Sequence, residues 1–490
     1  MAYDESLYVI WAYCQYLQMR DFKLPSDIEV DHRFGHLAVP QTWISEWELE
    51  LLAKEVILNG SSASQKRRTL RSWKVLSDTL NSLKKLEDGI YGLQTSNDTV
   101  LTEIVRIAHR QFIWQGNPPN SISAIRYYKI FNQDTIDRVC QSRLGISVKD
   151  IFLLGLMFLG VSLKRPTTLF PIQTDIKRVT PENLESFLSF TCRTIPELKA
   201  LLKSEQRYDA KYAYAYNSLR AFPLVRMPYK GRDSIVCPLP TLLFWRITSG
   251  LYYELLSDSR FPQAFGESFQ RFVGEAAERA CTNPKIHVRP ESKYGTRKAR
   301  KDTVDWIVWD SEAALFIECK AKRLSWAAKA ELEDLSALKS DIEQLAGAVV
   351  QIYKTIRDYI DGLYPGFPHH RDRKIFPVVA TLENWHVFGP RMIEMLEAAV
   401  ATKLSEAKIP PEYISGMPYS ILAVEDIEVG MQIINSIGIR KFIEGKLNDA
   451  EMPRWGWRGY ITRCFPDYLP PRNLFMEEYE ESFSEQSFKE

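Results

Sequence analysis

Two carboxylates and a lysine stand where two neighbouring strand-like runs would meet. Glu318 and Lys320 end the otherwise apolar run Ala313–Ile317, and residues two apart in a strand point to the same face. Asp305 opens the preceding run, and the short turn between the two runs would bring its carboxylate beside Glu318. Charged groups at the end of a buried strand are costly unless they are paired or used in chemistry.

Paired carboxylates are suited to binding a divalent cation. Two carboxylates and a main-chain carbonyl are the usual protein share of a Mg²⁺ site, and water and substrate phosphate supply the rest. A lysine beside them can orient the attacking water. The alternative is an exposed hairpin whose Glu318–Lys320 pair contributes about 0–1 kcal/mol. Glu-x-Lys also occurs at 197–199, 291–293, 406–408 and 444–446, but only the copy at 318–320 ends an apolar strand-like run. This context favours the catalytic interpretation.

At these residues the sequence resembles the PD-(D/E)xK, or restriction-endonuclease-like, nuclease superfamily. The motif of that family is an Asp on one strand and Glu/Asp-x-Lys on the next, between two helices. The resemblance covers about residues 262–382. It implies that Asp305 and Glu318 are metal ligands, that the Cys319 carbonyl is a third ligand, and that Lys320 is the catalytic lysine. The metal it implies is Mg²⁺, which Mn²⁺ could replace.

Two further positions follow from the resemblance. The family often carries a Glu on the helix before the first strand, where this chain has Gln270, so Glu267 one turn earlier is the substitute, with Glu275 a weaker candidate. Many relatives also carry a Gln on the helix after the lysine strand. Gln344 matches it and Tyr353 could share its role, although a solvated helix residue remains an equal alternative for Gln344.

Basic residues surround the motif. Only Glu291 opposes them, and Tyr294-Gly295 in their midst suggests a flexible loop that orders on DNA. This density of positive charge beside a metal site favours contacts with a phosphate backbone, with an affinity that falls as salt rises. A solvated charged loop is the alternative. The residues expected to contact nucleic acid are Arg289, Lys293, Arg297, Lys298, Arg300, Lys301, Lys322 and Arg323.

Composition limits the remaining possibilities. The 490 residues include 63 Lys and Arg against 62 Asp and Glu, which excludes a protein that coats nucleic acid by charge alone. The seven scattered cysteines contain no CxxC pair, so we expect a reducing, cytoplasmic setting without a disulfide framework. Asp4 and Glu5 are atypical of a signal peptide, and the apolar run 151–163 is short of the roughly 20 residues that span a bilayer. We therefore expect no membrane partner.

The elements that must position the motif suggest a multidomain protein. Residues 1–240 have mostly helical periodicity, with a boundary candidate at 117–121 and a hairpin around Lys230-Gly231. Residues 250–475 alternate helix and strand patterns, which predicts an α/β nuclease domain with a mixed central sheet and a C-terminal α/β extension. Residues 476–490 are acidic and predicted to be disordered. In the α/β part, helices are expected at 263–281, 329–361, 392–404 and 429–437, and strands at 303–309, 313–319, 375–382 and 419–424.

These patterns together predict a Mg²⁺-dependent nuclease that hydrolyses phosphodiester bonds in DNA. A role in restriction or phage defence is analogy alone. The helical region would recognise a protein partner, a DNA feature or a trigger. The rival hypothesis is a catalytically degenerate nuclease fold that binds nucleic acid or a partner. An intact set of Asp305, Glu318 and Lys320 argues against this rival, and Gln270 in place of Glu argues for it.

Overall fold

The chain divides into two compact units in the computed structural model, which describes residues 1–19, 21–30, 43–62, 69–91, 110–111, 113–114, 119–174, 176–209, 212, 215–296, 299–323, 336–364, 367, 369–385, 390–448 and 456–484. One unit comprises Met1–Phe261 and Glu477–Glu490, and the other comprises Pro262–Met476. The sequence places the boundary between 240 and 250. The division falls later because the helices Pro240–Ile247 and Leu251–Leu255 belong to the first unit.

The first unit is mostly helical. Its capping residues are those that the sequence indicates: the Ser147 hydroxyl accepts a hydrogen bond from the Asp150 N–H at 3.1 Å, and Thr180 caps a helix whose first residue is Pro181. The helices are α1 (Tyr3–Gln18), α2 (Glu46–Asn59), α3 (Trp73–Tyr91), α4 (Ser121–Phe131), α5 (Asp134–Leu144), α6 (Val148–Ser162), α7 (Pro181–Thr191), α8 (Ile195–Glu205), α9 (Pro240–Ile247) and α10 (Leu251–Leu255).

A small sheet accompanies these helices. It has the order β1-β4-β3-β2, where β1 is Thr167–Leu169, β2 is Cys192–Thr194, β3 is Leu224–Tyr229 and β4 is Arg232–Val236. The predicted hairpin is confirmed as β3–β4. Its turn residues Lys230 and Gly231 both have positive φ, +49° and +79°, as a tight two-residue turn requires. The three-residue strands β1 and β2 were not predicted, because three residues are too few to show an alternating pattern.

The acidic C-terminus differs from its predicted disorder. Met476–Ser482 is a helix, and residues 485–490 lie outside the described part of the chain. The rings of Tyr479 and Phe483 pack on Tyr128 at 5.3 and 5.1 Å between centroids, and Glu478 pairs with Lys129 at 2.7 Å. These aromatic contacts hold the helix in place, although the many acidic residues of the segment predict disorder.

The second unit is α/β, as predicted, and is built on a mixed five-stranded sheet of order β11-β10-β9-β8-β5. Strand β8 is antiparallel to both β5 and β9, whereas β10 is parallel to both β9 and β11. The elements are α11 (Phe261–Ala280), β5 (His287–Pro290), β6 (Lys293–Thr296), β7 (Ala299–Asp302), β8 (Trp306–Trp309), β9 (Ala313–Lys320), α12 (Ser336–Ile360), β10 (Lys374–Thr381), α13 (Pro390–Glu406), α14 (Glu412–Gly416), β11 (Ser420–Ala423), α15 (Val424–Ile437), α16 (Ile439–Leu447) and α17 (Trp457–Cys464).

Close packing fixes β8 on α11. The Trp306 indole N–H donates to the Gln270 carbonyl at 2.8 Å. A Cβ built on Gly274 would lie only 1.8 Å from the Trp306 ring, so glycine is needed for the ring to lie against the helix. This contact holds the start of β8, and with it Asp305, at a defined place on the sheet.

No single helix in the described part of the chain is long and apolar enough to cross a membrane. One pair, Asp134–Leu144 and Val148–Ser162, meets the length and composition criterion when taken together, with a bend of 69° between its members.

Candidate active site

Three carboxylates lie side by side across one edge of the second unit's sheet. Trp306 on β8 pairs with Ile317 on β9 and with Pro290 on β5. Extended by one residue, this register sets Asp305 between Glu318 and Glu291. Opposed residues in antiparallel strands have Cβ atoms about 4.5–5.5 Å apart. We call these three residues, Glu291, Asp305 and Glu318, the carboxylate row.

Asp305 is held by the backbone of the strand that carries Glu318. Its Oδ2 atom accepts a hydrogen bond from the Cys319 N–H at 2.6 Å. Burial raises the pKa of Asp305, and the charge of Glu291 raises it further, while the Cys319 N–H and Lys320 act in the opposite direction. Burial disfavours the charged form of Asp305, and the hydrogen bond from the Cys319 N–H both stabilises that form and orients the carboxylate.

Glu318 is the most strongly perturbed member of the carboxylate row. It is only 7% exposed. Burial, followed by the negative charge of Asp305, raises its pKa from an ordinary value of 4.5 to about 7. The Lys320 ammonium lies 3.0 Å from Glu318 Oε1 and offsets part of this effect. The charge of Lys320 therefore offsets only part of the effect of burial and of Asp305 on the pKa of Glu318.

Lys320 remains charged at this edge of the sheet. Burial alone would lower its pKa, but the charges of Glu318 and Asp305 raise it above the ordinary value. Its side chain is still 39% exposed, so the ammonium faces solvent as well as Glu318. A permanently charged ammonium can orient a water molecule or stabilise an anion, but it is not suited to accept a proton.

The donor set fits Mg²⁺. Asp305, Glu318 and the Cys319 carbonyl offer hard oxygen ligands, and a divalent cation would relieve the repulsion that raises the pKa of Glu318. The Cys319 thiol is a soft donor that suits Mg²⁺ poorly, and burial raises its pKa well above its ordinary value. Within the described residues, no three His, Cys, Asp or Glu side chains are grouped so that they could hold a metal ion, so neither Glu267 nor Glu291 completes a set with Asp305 and Glu318.

The two helix residues suggested by the family resemblance, Glu267 and Gln344, are both exposed. Glu267 is exposed on α11 and accepts a hydrogen bond from Gln263 at 3.0 Å. Gln344 is exposed on α12. Neither side chain is hydrogen bonded to Asp305 or Glu318 in the part of the chain that the structure describes. Tyr353 is buried and donates to the Met417 carbonyl at 2.6 Å.

The basic segment before Asp305 is a two-stranded ribbon, not the flexible loop that we expected. Strands β6 and β7 pair along four residues each, and Tyr294 is the buried residue at their centre. Lys293 and Arg300 are exposed on it. Arg289 lies over the Tyr364 ring at 5.5 Å. Arg297 and Lys298 lie outside the described residues.

Three of the predicted phosphate-binding cations have carboxylate partners within the protein. Each of these carboxylates belongs to an element C-terminal to β9, which the local sequence could not reveal. The pairs are Lys301–Asp358 at 2.6 Å, Lys322–Asp341 at 2.7 Å and Arg323–Glu383 at 2.6 Å. Arg323 is also buried, at 6% exposure, so it is placed for a structural role.

Glu291 is the residue that sequence reasoning missed. We treated it only as a lone acid within a basic run, although its charge raises the pKa of both Asp305 and Glu318. The signal that could have revealed it was the short run His287–Pro290. Pairing that run with Trp306–Trp309 places the following residue beside Asp305.

Comparison of this chain with protein-family models, curated proteins and solved structures found no match.

Proposed function

We propose that this protein is a Mg²⁺-dependent nuclease of the PD-(D/E)xK type that hydrolyses phosphodiester bonds in DNA. The observation that carries the proposal is the position of Asp305 against the end of β9. Asp305 immediately precedes β8, its carboxylate accepts the Cys319 N–H at 2.6 Å, and the neighbouring Lys320 lies 3.0 Å from Glu318. With β5, β6 and β7 inserted between α11 and β8, the order α11, β8, β9, α12 agrees with the helix, strand, strand, helix order of that family's motif. The restriction-endonuclease-like fold is part of this proposal.

The electrostatics of the pair favour a catalytic role over a surface ion pair. In a solvent-exposed ion pair the lysine would lower the pKa of the acid, because its charge favours the ionised carboxylate. Glu318 shows the opposite, since its pKa is raised to about 7. Groups perturbed by burial together with a specific charged neighbour are concentrated at functional sites.

Each residue has a separate task in the proposed reaction. The Cys319 N–H fixes the Asp305 carboxylate, and Asp305, Glu318 and the Cys319 carbonyl would hold the cation. Bound Mg²⁺ would stabilise negative charge on the phosphate and on the leaving oxygen. The Lys320 ammonium would orient the attacking water towards the phosphorus. Lys293 and Arg300 would contact the DNA backbone, and DNA cleavage is compatible with a role in restriction or phage defence.

Lys320→Ala tests the proposal against its main rival. This variant keeps both carboxylates but loses the group that orients water, so DNA binding in Ca²⁺ should persist while cleavage in Mg²⁺ falls by orders of magnitude. Lys322→Ala is the matched control, because its ammonium pairs with Asp341 instead of Glu318. Full cleavage by the Lys320→Ala variant would contradict the role given to Lys320.

A catalytically degenerate, DNA-binding protein is the second candidate. One observation favours it: the described residues contain no ready-made group of three metal-ligating side chains. This candidate predicts that the wild-type protein binds DNA but neither binds Mg²⁺ in calorimetry nor cleaves DNA in its presence.

A further inference from the structure

The ribbon formed by Lys293–Thr296 and Ala299–Asp302 is separate from the five-stranded sheet, and its strands pair with each other. Cross-strand partners share a face, so Tyr294 and Lys301 lie on one face, and Lys293, Arg300 and Asp302 lie on the other. We refer to these as the inner and outer faces of the ribbon.

The inner face is fixed to α12 by a buried carboxylate. Asp358, at 2% exposure, accepts a hydrogen bond from the Tyr294 hydroxyl and another from the Lys301 ammonium, both at 2.6 Å. The Tyr294 and Tyr364 rings also pack with centroids 5.6 Å apart. The Lys301 side chain is itself 46% exposed, so the more buried of the two hydrogen bonds is that of Tyr294, and together they attach the ribbon to α12.

The base of the ribbon adjoins the carboxylate row. The Ser292 N–H donates to the Thr303 hydroxyl at 2.9 Å, and the Thr303 N–H donates to the Ser292 carbonyl at 3.1 Å. Ser292 follows Glu291, and Thr303 is two residues before Asp305. A ligand lying along the outer face would therefore run towards the proposed site of cleavage.

The outer face carries charge without an aromatic side chain. Lys293 and Arg300 are exposed there, Asp302 is the acidic member, and Gly295 has no side chain. Proteins that bind single strands usually stack bases on exposed aromatic rings. The aromatic ring of this ribbon, Tyr294, is instead buried and hydrogen bonded to Asp358.

We propose that the ribbon is a preformed cationic element that selects double-stranded over single-stranded DNA, an inference that rests on the proposed function. The phosphates of a duplex have fixed positions, so cations that are already fixed can contact them without a further loss of conformational entropy. A flexible single strand gains less from this rigidity and finds no stacking surface on the ribbon's described residues. Asp358 is the positioning residue of this arrangement.

The test compares binding of a short DNA duplex with binding of one of its strands, in Ca²⁺ and over a range of salt concentrations. The first variant is Lys293→Ala/Arg300→Ala. The matched control is Lys441→Ala/Arg458→Ala, which also removes one exposed lysine and one exposed arginine. Lys441 lies on α16, whose first residue, Ile439, donates its N–H to Asp310 at the end of β8 opposite Asp305. The second variant, Asp358→Asn, keeps the side-chain shape but removes the charge that holds Lys301.

The wild type and the control should prefer the duplex. The ribbon variant should lose this preference, and its log–log salt slope on duplex should decrease by about 1.8 because two phosphate contacts are lost. Asp358→Asn should raise hydrogen exchange of the ribbon amides and reduce the preference, while both ribbon cations remain. An unchanged slope in the ribbon variant, or equal losses on duplex and single strand, would overturn the proposal, as would an unchanged preference in Asp358→Asn.

Cleavage of the same duplex in Mg²⁺ separates this proposal from the proposed function. A wild-type protein that binds duplex through the ribbon but cuts nothing supports the ribbon and refutes the nuclease. A wild-type protein that cuts DNA, with ribbon variants that bind and cut as it does, supports the nuclease and refutes the ribbon.

Discussion

Replacing Glu318 with glutamine should stabilise the protein while destroying its proposed activity. Glutamine has the shape and hydrogen-bonding oxygen of a protonated glutamate, so it mimics the neutral form of Glu318. The folded protein disfavours the charged form, since burial and the charge of Asp305 raise the pKa to about 7 from an ordinary value of 4.5. The variant removes this cost permanently.

The sign and size of the effect follow from linkage. Because the folded pKa lies above the unfolded one, the stability contributed by Glu318 is fully present below about pH 4.5 and is lost as the pH rises through about 7. At about 1.4 kcal/mol per pKa unit, the full difference is about 3 kcal/mol. Integrated between pH 5.5 and 8.5, the stability gap between Glu318→Gln and the wild type should widen by about 2 kcal/mol.

Urea unfolding of both proteins at these two pH values, without divalent metal, measures this gap. Glu412→Gln is the control, because Glu412 is exposed on α14 and solvent screening should leave its gap small at both pH values. A Glu318→Gln gap of equal size at pH 5.5 and 8.5 would refute the reasoning. It would mean that Glu318 has the same pKa in the folded and the unfolded protein.

Two further variants test the surroundings of the carboxylate row. Gly274→Ala should lower the free energy of unfolding by about 1–3 kcal/mol, because its Cβ would overlap the Trp306 ring. Gly266→Ala on the same helix should raise the free energy of unfolding by about 0.5–1 kcal/mol, because nothing lies within 4 Å of its Cβ. Urea unfolding measures both, and equal effects would contradict the packing argument. Glu291→Gln should lower the pKa of Glu318, because the negative charge of Glu291 raises it. A carboxyl titration followed by NMR, without metal, measures the pKa of Glu318 in both proteins. An unchanged pKa would show that Glu291 does not interact with Glu318.

Much of the second unit could be predicted from local sequence patterns. The apolar run before Glu318 predicts a strand, and the spacing of apolar residues over 263–281 predicts a helix. The bounds of β9 and α11 agree with these two predictions to within three residues. The pairing of Asp305 with Glu318 followed from a short turn, which leaves two adjacent strands few alternative registers. Such features depend on residues near one another in the chain.

The remaining features depend on contacts between distant residues. Lys301 pairs with Asp358, 57 positions further along the chain, and the buried Arg323 pairs with Glu383, 60 positions further along. Glu291 joined the carboxylate row only through the pairing of β5 with β8. A run of basic residues shows the charge of a segment, but the partners of each cation are set by the tertiary fold.

The most direct test of the proposed nuclease activity is plasmid cleavage by the purified 490-residue chain in Mg²⁺, with EDTA as the paired control. The wild type should convert supercoiled plasmid to nicked or linear DNA in Mg²⁺ and leave it intact in EDTA. Asp305→Ala, which should remain folded, should leave it intact in both, because losing one ligand removes charge stabilisation of the transition state. Cleavage by Asp305→Ala at the wild-type rate, or no cleavage by a wild-type protein that binds DNA, would contradict the account.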